Sequence, residues 1–157
     1  MSRRSGFTLI EIVIAIFILL LILGLAVPSL TGVLADKRLH GSLDRFNTLV
    51  RTAHERSLAE RRPYLIVWTD RDVRLQPALP LKNEPAQPID TIPFDNGEHW
   101  RLDFPAALTS KTPAEWMFWE SGVCEPVRVH FNGPEGTWTA QYAPLSGLAD
   151  IIAYAPR

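Results

Sequence analysis

Glu11 is the residue of this 157-residue chain whose position most needs a chemical explanation. It is the single charged residue in the apolar stretch from Phe7 to Val27. A carboxylate inside a membrane-length apolar segment costs a few kcal/mol, and residues of this kind usually have a function. We therefore expect Glu11 to pair with a cation, and the nearby Arg3 and Arg4 precede the apolar stretch rather than lie within it.

A cut of the chain between Gly6 and Phe7 would create the cation that Glu11 requires. The new α-amine of Phe7 would have an unperturbed pKa of about 7.7 to 8.0. Within one chain, this amine would lie one helical turn from Glu11. Between two chains, Glu11 of one subunit would meet the Phe7 amine of its neighbour, which would neutralise both charges and fix the axial stagger of the two helices. The sequence leaves both pairings open.

The apolar stretch has the length of a membrane span. Its 21 residues form a helix of roughly 30 Å, which matches the hydrocarbon thickness of a bilayer. Arg3 and Arg4 precede it, so the positive-inside rule predicts a cytoplasmic N-terminus and places everything after Leu34 outside the inner membrane. A cleaved signal peptide fits poorly, because the stretch is too long and Val27-Pro28-Ser29 is a weak cleavage site. A plain signal anchor fits the length but leaves Glu11 unexplained.

The N-terminus resembles the processing motif of type IV prepilins and type II secretion pseudopilins in its residue order, Arg3-Arg4-Ser5-Gly6-Phe7-Thr8-Leu9-Ile10-Glu11, followed by an unbroken apolar run. The resemblance implies that a prepilin peptidase cuts after Gly6 and methylates the new N-terminal Phe7. It assigns Glu11, the fifth residue of the mature chain, to subunit assembly. The implied partners are the prepilin peptidase, the inner membrane and other pilins or pseudopilins.

Pro28 interrupts the helical pattern and predicts a kink, because proline removes a backbone donor and clashes with the carbonyl of Gly24. Pilin-like proteins often carry a proline at the corresponding place. The alternative is that Pro28 simply ends the membrane helix.

An amphipathic helix is predicted after Pro28, and Arg61-Arg62-Pro63 is expected to end it. Its apolar residues recur at spacings of four and three, which is typical of a helix with one face on a core. They are Leu39, Leu43, Phe46, Val50 and Ala53.

The remainder of the chain is predicted to form short strands separated by turns. We predict a hairpin around residues 69–72, an extended loop without regular structure over 77–93, and a second hairpin at Gly133-Pro134-Glu135-Gly136. The predicted strands are 64–68, 73–75, 99–104, 116–119, 127–131, 137–142 and 148–153. The expected fold is α+β and pilin-like, with a long transmembrane-plus-amphipathic helix packed on an antiparallel β-sheet head. Its expected parts are a leader (1–6), a membrane and assembly helix (7–34), an amphipathic half (35–62) and a periplasmic head (63–157).

Two short segments resemble the H-type minor pseudopilins of type II secretion. They are Phe118-Trp119-Glu120-Ser121-Gly122 before a strand and Pro144-Leu145-Ser146-Gly147 before the last strand. The calcium loop of major pseudopilins has no counterpart near the C-terminus. The single cysteine, Cys124, excludes the intramolecular disulfide of major pilins. We expect Cys124 to be a packed thiol rather than a nucleophile.

Catalytic and metal-binding patterns are absent from the sequence. The four histidines, at positions 40, 54, 99 and 130, form no metal-ligand motif, and no nucleophile elbow or phosphate loop occurs. Asp95-Asn96-Gly97-Glu98 lacks the ligand spacing of a calcium loop and predicts a plain turn. Trp100, Trp116, Trp119 and Trp138 are expected in the core. We therefore expect neither an enzyme nor a cofactor.

Charge is distributed unevenly along the chain. Residues 37–62 hold seven basic and three acidic residues, whereas residues 63–157 hold seven basic and twelve acidic ones. An acidic head disfavours nucleic acid as a partner. The basic helix could dock on the acidic head, or both faces could be solvated.

These observations predict a structural, non-enzymatic minor pseudopilin of a type II secretion system. The expected location is the bacterial inner membrane, as a single-pass protein with its N-terminus in the cytoplasm and its head in the periplasm, and then a filament. One alternative is a minor type IV pilus pilin for adhesion or DNA uptake. The other is a signal-anchored periplasmic enzyme or binding protein.

Overall fold

The computed structural model describes residues 8–81, 87–105 and 114–157, and within the helix it describes residues 24–31 by their backbone alone. These residues contain one long helix followed by eight strands. The helix α1 is Leu9–Glu60, and the strands are β1 Tyr64–Trp68, β2 Asp72–Pro77, β3 Asp90–Pro93, β4 His99–Asp103, β5 Glu115–Phe118, β6 Val127–Gly133, β7 Gly136–Tyr142 and β8 Ala149–Pro156. The predicted α+β class is confirmed.

Helix α1 contains 52 residues and is therefore about 78 Å long. It begins after Thr8, whose backbone is extended, and it ends where Arg61 adopts the left-handed conformation. The side chain of Pro28 lies outside the described residues, so the kink stays a prediction. The leader 1–6 and Phe7 also lie outside them.

The predicted apolar stripe of the second half of α1 is confirmed. Its members Leu39, Leu43, Phe46, Val50 and Ala53 are all at most 2 % exposed. The periodicity of four and three places them on one side of the helix, and this side packs on the strands of the head. Leu49 and Ser57 widen the buried face.

The head contains two four-stranded antiparallel sheets. Sheet A has the order β3-β2-β1-β5 and sheet B the order β4-β6-β7-β8. Both predicted hairpins are confirmed, because Trp68 pairs with Val73 across the first turn and Gly133 pairs with Gly136 across the second. The buried face of α1 contacts strands of both sheets, so the core lies between the helix and the sheets.

The expectation of a structureless loop over 77–93 is wrong at its end. Residues Asp90–Pro93 form β3, which pairs with β2 at the edge of sheet A. Ile92 is opposite Val73 and is 6 % exposed, and the burial of this side chain stabilises the strand. Pro93 is compatible with the strand because an edge strand has backbone groups that need no ladder partner.

Aromatic residues dominate the core, as expected, with one exception. Trp116 and Trp138 are fully buried, and Trp100 packs against the core from its margin. Trp119 is 39 % exposed, so its predicted place in the core is wrong. Strand β5 ends at Phe118, and the following turn directs Trp119 away from the core. The predicted packing of Cys124 is confirmed, since its side chain is buried and burial raises the pKa of its thiol to about 11.

Arg61 offers a local test of helix termination. Its φ of 49° is a left-handed conformation that costs a side-chain-bearing residue about 1–2 kcal/mol. Arg61→Gly should therefore stabilise the protein by about 1 kcal/mol, measured by urea unfolding of the full chain in detergent. Ala59→Gly, two residues earlier and still helical, should destabilise it by about 1 kcal/mol. The same sign for both variants would contradict this explanation of the helix end.

The candidate assembly helix and its attachment to the head

The first part of α1 exposes a continuous apolar surface. Every large apolar side chain from Leu9 to Leu23 is at least 51 % exposed. Exposed apolar surface of this extent marks a contact with lipid or with another protein. Within the described residues, no helix reaches the combined length and mean hydropathy of a membrane span.

Glu11 lies in the first turn of α1 with an exposed side chain. Its backbone N–H donates to the carbonyl of Thr8 at 3.1 Å. The part of the chain that the structure describes offers its carboxylate no hydrogen bond or ion pair. A carboxylate near a helix N-terminus is favoured by the helix dipole, although this effect is small at an exposed site. The two residues predicted to supply its partner, Gly6 and Phe7, lie outside the described residues, so the pairing stays a prediction.

The second half of α1 is tied to sheet B by aromatic donors. Three side chains of β7 and β8 donate hydrogen bonds to polar groups on the helix, in addition to packing on it. The donor and acceptor atoms are Trp138 Nε1 and Ser42 Oγ at 2.9 Å, Tyr142 Oη and Asn47 Oδ1 at 2.7 Å, and Tyr154 Oη and Asp36 Oδ1 at 2.9 Å. The bonds join residues about a hundred positions apart and therefore fix the helix relative to the sheet.

Tyr142 makes the most buried of these attachments. Its side chain is 1 % exposed, and burial raises its pKa far above the usual value, so the hydroxyl remains a neutral donor. Tyr154 lies at the margin, where desolvation and the neighbouring Asp36 raise its pKa to about 12. Both hydroxyls therefore keep their protons throughout the physiological range.

Tyr142→Phe should destabilise the head by about 1 kcal/mol, because it removes the hydrogen bond to the half-buried amide of Asn47. We expect the loss in urea unfolding of the full chain. Replacing both partners, in Tyr142→Phe with Asn47→Leu, should recover part of it. An unchanged midpoint in the single variant would show that this bond does not hold the helix to the head.

A second attachment closes the C-terminal end of α1. The hydroxyl of Tyr64, at the start of β1, donates to Glu60 at 2.6 Å, and Arg62 pairs with the same carboxylate at 2.7 Å. The hydrogen bond from Tyr64, together with Arg62 and Arg56, lowers the pKa of Glu60. The first strand is thereby held against the last turn of the helix.

A groove separates α1 from two turns of the head. Its walls are Arg38, Ser42 and Arg45 of α1 on one side and Asp95, Glu98 and Glu135 on the other, and its volume is about 500 Å³. We call it the charged groove. Arg38 and Glu135 approach to 3.6 Å across it. Within the described residues, this ion pair joins the basic half of α1 to the acidic head.

The turn predicted at Asp95–Glu98 forms one side of this groove and is confirmed. The N–H of Glu98 donates to the carbonyl of Asp95 at 3.0 Å, and the N–H of Asp95 donates to the Glu98 carboxylate at 3.1 Å. Gly97 has a φ of 88°, which favours glycine. Among the described residues, no group of three histidine, cysteine or acidic side chains is arranged to hold a metal ion.

A hydroxyl–imidazole–carboxylate row lies on the outer face of sheet B, and no pattern in the sequence predicts it. His130 contacts Thr139 Oγ1 through Nδ1 and Asp103 Oδ2 through Nε2, both at 3.0 Å. Although desolvation opposes the change, hydrogen bonds from Arg101 and His130 lower the pKa of Asp103. Strand register explains the row, since Arg101 and Thr139 are the cross-strand neighbours of His130. Asp103, His130 and Thr139 do not line the three grooves described between α1 and the head.

The two segments with H-type resemblance meet in space. A Cβ on Gly122 would lie 3.1 Å from the His54 ring, and one on Gly147 would lie 3.8 Å from His54 Cβ. The N–H of Cys124 also donates to the carbonyl of Pro144 at 2.8 Å. Both segments therefore pack around the last turns of α1, where the φ of 78° at position 122 favours glycine.

Comparison with known proteins supports the reading of the N-terminus. Residues 1–27 match the family profile described as the prokaryotic N-terminal methylation motif. In the structure, the matched segment leads into a long helix and an antiparallel β head. No curated protein matches the sequence at a significant level.

A solved structure similar to this one is the minor pseudopilin EpsH from the Type 2 Secretion System of Vibrio cholerae. The two share 15 % sequence identity with a TM-score of 0.47, and the match covers 71 % of this chain and 94 % of EpsH.

Proposed function

We propose that this protein is a structural minor pseudopilin of a type II secretion system, processed by prepilin peptidase and assembled through its N-terminal helix. The observation that carries the proposal is the methylation motif at residues 1–27, which includes the exposed apolar helix surface from Leu9 to Leu23. A helix of this kind needs lipid before assembly and other subunits afterwards. The head is attached to the second half of this helix and would therefore enter the filament with it.

The processing step assigns roles to the first residues. Prepilin peptidase would cut between Gly6 and Phe7 and methylate the Phe7 amine. The mature helix would then wait in the inner membrane with its N-terminus on the cytoplasmic side and its head in the periplasm. Pairing of Glu11 with a Phe7 amine would accompany its exit from the bilayer into the filament. The proposed role is structural rather than enzymatic.

The choice of a secretion system rests on the two H-type segments, Phe118–Gly122 and Pro144–Gly147, which pack together around the end of α1. A minor type IV pilus pilin is the alternative, and deletion of the gene in its host separates the two. Loss of protein secretion with intact pili supports the pseudopilin. Loss of piliation with intact secretion supports the pilin.

The intact mass and N-terminus of the protein, purified from host membranes, test the proposal most directly. We expect a chain that begins at N-methylated Phe7. The matched control is the same protein from cells without prepilin peptidase, which should retain the leader. A chain that still begins at Met1 or Ser2 in the presence of active peptidase would overturn the proposal and favour a plain signal anchor.

A further inference from the structure

Helix α1 contains a short section, just before its packed half, that the head does not support. Residues 32–34 are exposed, and the side chains of Val33 and Leu34 are 64 % and 54 % exposed. The buried face of the packed half begins only at Leu39, which is 1 % exposed. A helical turn that packs on nothing is held by its own hydrogen bonds, and these alone are marginal in water. This section therefore opens more easily than the packed half.

Gly32 weakens the unsupported section further. Glycine is among the least favourable residues in a helix interior, because it gains the most backbone freedom when the helix opens. A Cβ added to Gly32 would have no atom within 4 Å, so packing gives no reason for a glycine at this position. Gly41 has the same free space around it, but it lies beyond Leu39, where the head supports the helix.

Tyr154 of β8 holds α1 directly after the unsupported section. Its hydroxyl lies 2.9 Å from the Asp36 carboxylate and 3.1 Å from the backbone carbonyl of the same residue, so it donates to both acceptors. Its ring meets the ring of His40 edge-on, with centroids 6.0 Å apart. Among the described residues of α1, Asp36 is the first that hydrogen-bonds to the head. Most other residues of β8 are exposed, so the hold of this strand on the helix depends on Tyr154.

We infer that α1 has a hinge at Gly32 and that Tyr154 is the clamp that ends this hinge at Asp36. The clamp acts on the backbone as well as on a side chain, because the hydroxyl contacts the main-chain carbonyl of Asp36. Opening of the helix at residues 32–35 is therefore stopped before it reaches Leu39. Residues before the clamp bend, and residues after it move with the head as one body.

The hinge has a use in a membrane-anchored subunit. If residues 7–27 span the hydrocarbon core, Gly32 lies about 7.5 Å beyond the edge of that core. Each headgroup layer is about 5–8 Å deep, so the hinge lies where the helix leaves the bilayer. The head would then tilt on the membrane surface without unpacking its core. This use rests on the proposed membrane anchoring, whereas the hinge and the clamp do not.

Hydrogen–deuterium exchange of the full chain in detergent, measured by mass spectrometry, tests the hinge. Amides of residues 33–36 should exchange at least about tenfold faster than those of residues 43–50. Gly32→Ala should slow exchange at 33–36 about fivefold, because alanine is the better helix former. Gly41→Ala is the matched control, since it makes the same change in equally free space beyond the clamp, and it should leave 33–36 unchanged. Equal exchange of the two segments in the wild-type chain would overturn the hinge.

Tyr154→Phe tests the clamp, because it keeps the ring and removes the hydroxyl. Exchange at residues 37–40 should become about fivefold faster, as expected for the loss of one hydrogen bond. Tyr142→Phe is the matched control, since it removes another hydroxyl that ties α1 to sheet B, and it should not raise exchange selectively at 37–40. Unchanged exchange there in Tyr154→Phe, or an equal rise in Tyr142→Phe, would overturn the clamp. Neither result would affect cleavage after Gly6, so the proposed function is tested separately.

Discussion

Glu11→Ala should impair co-assembly of this protein with neighbouring subunits while leaving it in the membrane. The reason is that removal of one partner leaves the Phe7 amine of a processed chain without its anion. Loss of one partner from a desolvated charge pair costs about 2–5 kcal/mol, a factor of at least roughly thirty in association. Membrane insertion should not suffer, because the substitution removes a charge from an apolar segment. Co-purification with filament subunits and recovery in the membrane fraction measure the two effects separately.

The control for Glu11→Ala is Ile10→Ala, which shortens the adjacent exposed side chain without changing charge. It should assemble nearly normally. Glu11→Gln preserves the size of the side chain and should assemble as poorly as Glu11→Ala does, since the carboxylate charge is what matters. Normal co-assembly of either Glu11 variant would refute charge pairing as the basis of assembly, whether the pair forms within one chain or between two.

The elements that were predicted best are those with both a periodic apolar pattern and a residue signal that ends the element. The stripe from Leu39 to Ala53 repeats over four turns and ends before Pro63, and the structure buries all of it. Strand β3 escaped prediction because four residues with one buried side chain, Ile92, give no readable alternation. Trp119 was wrongly predicted to be buried, because an aromatic residue is expected in the core only while it lies within a strand. Strand β5 ends one residue earlier, at Phe118.

The sites differ in predictability for a similar reason. Glu11 stands out in the sequence because its neighbours are apolar, so one residue carries the signal. The sequence contains no signal for the charged groove, because its walls come from residues as far apart as Arg38 and Glu135. The fold alone brings these residues together. The row at His130 likewise depends on the register of three strands. Sequence patterns therefore reveal a site whose residues are close together in the chain. They miss a site whose residues are brought together only by strand pairing or helix packing.

Phe46→Ala should cause the largest loss of stability among substitutions in the core that α1 shares with the head. Phe46 is fully buried on α1 at the point where the helix meets both sheets. Its ring centroid lies 5.4–6.1 Å from those of four aromatic side chains, one from sheet A and three from sheet B. They are Trp68, Trp100, Trp138 and Tyr142. Rigid rings cannot collapse into the space that the substitution leaves, so we expect a loss of about 3–5 kcal/mol.

Urea unfolding of the full chain in detergent, followed by tryptophan fluorescence, measures this loss. Arg51→Ala, on the exposed side of the same helix, should change stability by less than about 0.5 kcal/mol. A loss below about 1 kcal/mol for Phe46→Ala would show that the helix and the two sheets do not share one core. Because the methylation motif lies within residues 1–27, Phe46→Ala should still be processed at Gly6 and enter the membrane. This variant would be processed normally but would have an unstable head. The extent of its assembly would therefore measure the contribution of the head separately from that of the helix.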